Sequence, residues 1–392
     1  MQTALLSILA LLAAASAQPA APQADDPVER AIELLGDGAY EEARALLAPI
    51  ADGQDSDAAY VLAYMEEHGL GAPADRDEAR RLYVSAAMAG QPDAQYELGE
   101  LAYTGEGVQQ DLDRAYAWFN LAATQGHARA TYMLGLMHAE GQYVPQDMGR
   151  AAALYEQAAE TGVPEAQFQL GVLYLEGKGR PQDDEQAAHW FGLAAEQGHT
   201  EAAYNLAVLY ETERLAGEPK LEEAARLMRN AAEAGLTQAS VALGYMALNG
   251  RGMPASDEQA RAWFERAAKA GSPEGMYLYA ASLAEGLGGL TNLQGALDWA
   301  EASVTASQGE PPAVIEERTG LRDEIRVALE DRPEERTIEI APLPDRVATA
   351  APEALNDFIE EEDQAPSLPD EAETDEEEPE IVVRDRPRGL RR

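Results

Sequence analysis

Five histidines, 71 acidic residues and no cysteine set the chemistry open to this 392-residue chain. Without cysteine there are no disulfides, zinc–thiolate sites or thiol nucleophiles. The histidines are His68, His127, His138, His189 and His199. His127 and His199 each follow a glycine, 72 residues apart, where Val163 and Leu236 stand in equivalent places. His189 abuts Trp190 and reads as packing. Carboxylates are abundant, but glycan hydrolysis needs two at a fixed separation across a cleft, and no pair stands out. The acidic run from Asp370 to Glu380 lacks the glycine and ligand spacing of a calcium loop. The sequence holds no Gly-x-Ser-x-Gly elbow, phosphate-cradling loop or zinc-helix signature. Its Gly-x-Gly pairs recur without the flanking strand that a dinucleotide site requires. The reading is no enzyme, no cofactor and no metal site.

Those Gly-x-Gly pairs belong to a period. Gly90, Gly126, Gly162, Gly198, Gly235 and Gly271 are spaced by 36, 36, 36, 37 and 36 residues. A fixed period of about 20–50 residues marks stacked units that bury their faces only against neighbours. His127 and His199 sit two units apart. Helix layers about 10 Å apart put them too far from each other to share a metal.

Each unit holds two predicted helices. The first carries Ala-x-Tyr-x-Leu-Gly, as in Ala94, Tyr96, Leu98 and Gly99, returning as Ala130 to Gly135, Ala166 to Gly171, Ala202 to Ala207 and Ala239 to Gly244. The second carries a small-aromatic stripe such as Ala115, Trp118, Phe119, Ala122 and Ala123. Small and apolar residues at these spacings form one helical face. A glycine in mid-helix costs about 1 kcal/mol relative to alanine, so its recurrence implies a packing reason. Asp75, Asp111, Asp147, Asp183, Ser256 and Asn292 stand where an N-cap is needed, and Lys220 breaks the series. Between the helices, Gly69 and Gly71, Gly105 and Gly107, Gly177 and Gly179, and Gly250 and Gly252 supply left-handed turns. The unit is a helical hairpin.

With its Leu-Gly, Gly-x-Gly and Ala-Ala-x-x-Gly motifs in register, the chain resembles the Sel-one-like repeat family, relatives of the tetratricopeptide repeat. The resemblance implies an all-α fold: a right-handed superhelical solenoid of about seven 36-residue repeats. It covers residues 57–307, preceded by a degenerate helical pair at 27–56 and followed by a capping helix at 308–332. The fifth unit departs from the pattern, with Glu211 to Lys220 in place of the glycine loop.

The two ends differ from the middle. Residues 1–17 are uncharged and apolar, ending Ala15-Ser16-Ala17, which reads as a signal peptide cut between Ala17 and Gln18, with 18–26 as a linker. That predicts a periplasmic or secreted protein and no integral membrane anchor after cleavage. Residues 333–392 are rich in Pro, Glu and Asp and read as a disordered acidic tail. The net charge is −42; residues 308–392 hold 26 acidic and 11 basic side chains, leaving −27 for the rest. Such a surface repels nucleic acid and favours a basic protein or peptide partner.

What varies between units is the inner wall that the first helices of this family present. Glu97, Glu100, Gln169, Asn205 and Tyr245 lie at its variable positions and are the candidate partner-binding residues. Family resemblance implies a scaffold or regulator of the bacterial envelope. The rival readings are an envelope enzyme of glycan-hydrolase type and a lumenal quality-control adaptor.

Overall fold

The computed structural model describes residues 26–52, 55–212 and 214–330. The expected signal peptide, the linker except Asp26, and the acidic tail from 333 onward lie outside these. Within the described residues there are seventeen helices and no strand. The described residues open with α1 (Pro27–Gly36) and α2 (Tyr40–Ala51), in the stretch read as a degenerate pair. Seven hairpins follow: α3 (Ser56–His68) with α4 (Arg76–Met88), α5 (Pro92–Thr104) with α6 (Leu112–Thr124), and α7 (Ala128–Glu140) with α8 (Met148–Glu160). Next come α9 (Pro164–Glu176) with α10 (Asp184–Glu196), α11 (Thr200–Glu211) with α12 (Leu221–Glu233), α13 (Thr237–Asn249) with α14 (Asp257–Lys269), and α15 (Pro273–Glu285) with α16 (Leu293–Ala306). The last helix, α17 (Pro312–Glu330), closes the far end with Leu321 and Ile325 buried. Each helix packs on the next in the chain, which makes the array a solenoid.

Local chemistry sets where each helix starts and stops. The carboxylates of Asp75, Asp111, Asp147 and Asp183 accept backbone N–H bonds at the starts of the second helices, as do Ser256 Oγ and Asn292 Oδ1. The first helices stop at Gly69, Gly105, Gly141, Gly177, Gly250 and Gly286, all left-handed. In most of these loops the second glycine is needed for space as well as for turn, although Gly107 has room for a Cβ and Tyr143 takes the left-handed place in the third hairpin. A Cβ on Gly71 would stand 2.8 Å from the Tyr40 carbonyl oxygen at the start of the preceding second helix.

The mid-helix glycines face a ring. A Cβ on Gly99 would lie 2.5 Å from the Phe119 ring; on Gly135 or Gly171 it would lie 2.7 Å from Tyr155 or Phe191. The rings are fully buried, and each meets the aromatic residue of its partner helix: Tyr96–Phe119 at 5.9 Å, Tyr132–Tyr155 at 5.6 Å and Phe168–Phe191 at 5.8 Å. Where Ala207 replaces the glycine, the facing residue is Met228; where Ala280 does, it is Ala300. Only the first hairpin pairs an alanine, Ala63, with a ring, Tyr83. Glycine lets the helices close on an aromatic plate, and two of the three alanine units use a thinner or absent plate.

The fifth hairpin is held differently. Its loop has no cap at Lys220, but the Lys220 ammonium lies 4.3 Å over the Tyr210 ring and its N–H donates to the Tyr210 carbonyl at 2.9 Å. Arg214 forms a bidentate pair with Asp184, at 2.9 and 2.6 Å, and Ala216 N–H donates to Glu185 at 2.8 Å. Side chains here tie the loop to the preceding unit, a task that a close-packed glycine performs elsewhere.

Gly171→Ala should destabilise the array by about 1–3 kcal/mol, the usual cost of overpacking. Adding Phe191→Met, which copies the fifth unit, should recover part of it. Thermal unfolding followed by circular dichroism checks both.

Candidate interaction surface

The variable row runs along the first helices, at the position between the aromatic residue and the leucine: Val61, Glu97, Met133, Gln169, Asn205, Ala242 and Leu278. A second row follows three residues later and includes Glu100 and Tyr245. Of the five candidate residues, Glu97, Glu100 and Gln169 are half-buried. Asn205 and Tyr245 correct the expectation of an open wall: they are 0% and 6% exposed. Tyr245 belongs to its hairpin's core, edge-on to Phe264 at 5.5 Å. Helix α11 as a whole is buried on nearly every face, which the variable identities of its residues did not reveal.

At the first two hairpins the row is acidic and lined with tyrosine. Tyr83 donates its hydroxyl proton to Glu67 at 2.9 Å, and Tyr96 donates to Glu100 at 2.6 Å. Burial is the main reason that the Glu97 carboxyl is pushed up to about 8; Glu100, Glu67 and Asp93 add repulsion, and Arg129 opposes them. The Tyr60 phenol beside it is also raised, by burial first and then by Glu97. Arg129 is itself turned toward Glu165, 3.7 Å away. The wall therefore presents carboxyls that repel one another, opposed by Arg129.

Farther along, the fifth hairpin buries polar groups. Neither the nitrogen nor the oxygen of the Asn205 carboxamide has a hydrogen-bond partner. Such a group costs about 1–3 kcal/mol. Glu211 is ion-paired with Arg251 across the junction to the sixth hairpin at 3.1 Å, and burial outweighs that arginine in raising its pKa. A cleft of 340 Å³ lies between α10 and α12, floored by Ala203, Leu206 and Leu227. A second of 220 Å³ lies under the irregular loop, beside His189 and Lys220. Tyr210 lines both.

The histidines have structural employment. His127 and His199 are N-caps: Nδ1 of each accepts a backbone N–H, from Ala130 at 3.1 Å and Ala202 at 3.3 Å. Each ring stacks on the aromatic residue of the preceding first helix, Tyr96 at 4.7 Å and Phe168 at 4.6 Å. Burial pushes the His199 imidazole down, keeping it neutral as the accepting role requires. His189 lies edge-on to Trp190 at 5.1 Å. Sequence reasoning missed the glutamines. Gln125 donates to Gln95, and Gln197 to Gln167, both at 2.8 Å. Gln95 and Gln167 then donate to the Ala87 and Ala159 carbonyls at 3.1 Å. Their spacing of 30 residues, repeated one double period later, was the available signal.

The model of the Sel1 repeat matches seven consecutive stretches, 56–91, 92–127, 128–163, 164–199, 200–236, 237–272 and 273–306. The chain belongs to the Sel1 repeat family. A Sel1 repeat protein from Oxalobacter formigenes is similar in structure, with 30% identity, 62% of this chain and 99% of that chain covered, and a TM-score of 0.56. A protective antigen of uropathogenic Escherichia coli strains displaying an SLR fold shares 20% identity over 81% of this chain and 88% of its own, with a TM-score of 0.40. An immunity protein from Pseudomonas aeruginosa shares 17% identity over 54% of this chain and 83% of its own, with a TM-score of 0.37. No curated protein matches the chain significantly. Sel1 repeat proteins are generally protein-interaction scaffolds. No helix among the described residues is long and apolar enough to cross a membrane.

Glu97 makes this Sel1 array's stability depend on pH. The folded chain holds that proton more tightly than an ordinary carboxyl near 4.5 does, so its contribution is complete below pH 4.5 and is lost as pH rises through about 8. Glu97→Gln should melt like the parent at pH 4 and at least ~3 °C higher at pH 9. Equal melting curves at pH 9 would place Glu97 in a solvated setting.

Proposed function

We propose that this Sel1 protein is a non-catalytic scaffold or regulator of the bacterial periplasm or cell envelope, holding a partner protein or peptide along the row of first helices. One observation carries the reading: an unbroken stack of hairpins repeats its interior while the half-buried wall residues Tyr64, Glu97, Glu100, Leu136 and Gln169 change chemistry from unit to unit. Fixed geometry with variable surface groups suits recognition of an extended partner. Export rests on the apolar start and the Ala15-Ser16-Ala17 site.

A photo-crosslinking residue placed in cells at Tyr64 or Glu100 should capture a defined protein, and reversing the charge of Glu97 and Glu100 together should weaken the capture. Crosslinks arising only from Leu121, which is exposed on α6, would put the interaction on the outer helices instead. Sequencing the mature protein from an envelope fraction should find Gln18 at its amino terminus; a chain still starting at Met1 in the cytoplasm would remove the periplasmic assignment.

A further inference from the structure

Two first helices begin on a histidine, and the two sites are not alike. His127 caps α7 and is followed two residues later by Arg129; its Nε2 lies 3.4 Å from Asp93. His199 caps α11 and is followed two residues later by Glu201. The Nδ1 of His199 accepts the Ala202 N–H at 3.3 Å, and Oε2 of Glu201 lies 3.3 Å from that same nitrogen. One atom therefore faces two partners with opposite demands. The backbone N–H needs its lone pair, whereas the carboxylate needs a proton on it. Both cannot be served at once.

Charged groups surround this ring on several helices. Glu165, in the first turn of α9, acts on it from the preceding hairpin, and Oε2 of Glu165 is buried without a hydrogen bond. Arg129 of α7 lies 3.7 Å from the other oxygen of Glu165. Phe168 of α9 stacks on the imidazole at 4.6 Å. Glu196 of α10, with Glu223 and Arg226 of α12, lines the same 340 Å³ cleft as His199, and Arg226 is turned to Glu223 at 3.6 Å. Burial and the positive end of the α11 dipole oppose an imidazolium here, while Glu201 and Glu165 favour one.

We propose that His199 is a pH-sensitive switch at the junction of the fourth and fifth hairpins. Neutral, its Nδ1 holds the Ala202 N–H and caps α11. Protonated, the same nitrogen releases Ala202 and donates to Glu201, which leaves the start of α11 uncapped. The junction is suited to such a change: α11 belongs to the hairpin without a cap at Lys220, and His199 and Thr200 form one side of the cleft. Burial lowers the proton affinity of this ring below the ordinary 6.5. The cap's contribution is thus complete above pH 6.5 and is lost as pH falls through the lower folded value. None of this depends on the scaffold reading.

The test is nuclear magnetic resonance of the full chain carrying nitrogen-15. At pH 7.5 the His199 ring should hold its proton on Nε2, and at pH 5 it should hold one on each nitrogen. Over the same range the protection of the Ala202 amide against hydrogen exchange, corrected for the intrinsic rate, should fall about fivefold, the worth of a cap. The Ala166 and Ala239 amides stand at the same place in α9 and α13, where Val163 and Leu236 give no side-chain cap, and should keep their protection. They are controls within the unaltered molecule. His199→Asn retains an acceptor that does not titrate, so Ala202 should stay protected at pH 5. Glu201→Gln removes the waiting carboxylate and should move the change to lower pH. A proton on Nδ1 at pH 7.5 overturns the inference, as does an Ala202 amide that keeps its protection at pH 5 or loses it in step with Ala166 and Ala239. So does an equal loss in His199→Asn, or an unmoved midpoint in Glu201→Gln.

Discussion

Contact between a glycine on one helix and an aromatic plate on its partner is the constraint from which the rest follows. Gly99 against Phe119, Gly135 against Tyr155 and Gly171 against Phe191 leave no room for even a methyl group. Close approach fixes the hairpin angle, and the hairpin angle fixes how the next unit stacks. The cost in helix propensity at each glycine is offset by burial of a whole ring, about 1.5–3 kcal/mol for a phenylalanine. With no cysteine in the chain and no metal-ligand cluster among the described residues, this repeated contact and the alanine stripes beside it carry the array.

The fifth hairpin shows what happens when the pattern is relaxed. Alanine faces methionine there, the loop glycines are gone, and ion pairs and a cation over a ring take their place. The same hairpin buries Glu211 and an unpaired Asn205. Polar groups below the surface, side-chain tethers and adjacent clefts make it the least economical junction of the stack.

The acidic end follows a different logic. Its carboxyls are numerous because the chain as a whole is acidic, yet most are solvated or paired. Glu97 differs through position: burial and three like charges act on it together.

Period, hairpin, caps and loop turns were all legible in the chain before any coordinates, since they depend on contacts within about 36 residues and on side chains with one strong local use. The Asp75, Asp111, Asp147 and Asp183 caps and the break at Lys220 fall where the spacing puts them. What each wall residue faces could not be read, because packing between helices settles it: Tyr245 turned inward to Phe264, His127 and His199 became caps stacked on the preceding unit's rings, and Gln95 found Gln125 thirty residues away. Local propensity determines the helices and their breaks. Only the stacking of one hairpin on the next decided which of the varying side chains are buried, which are satisfied, and which are left in want of a partner.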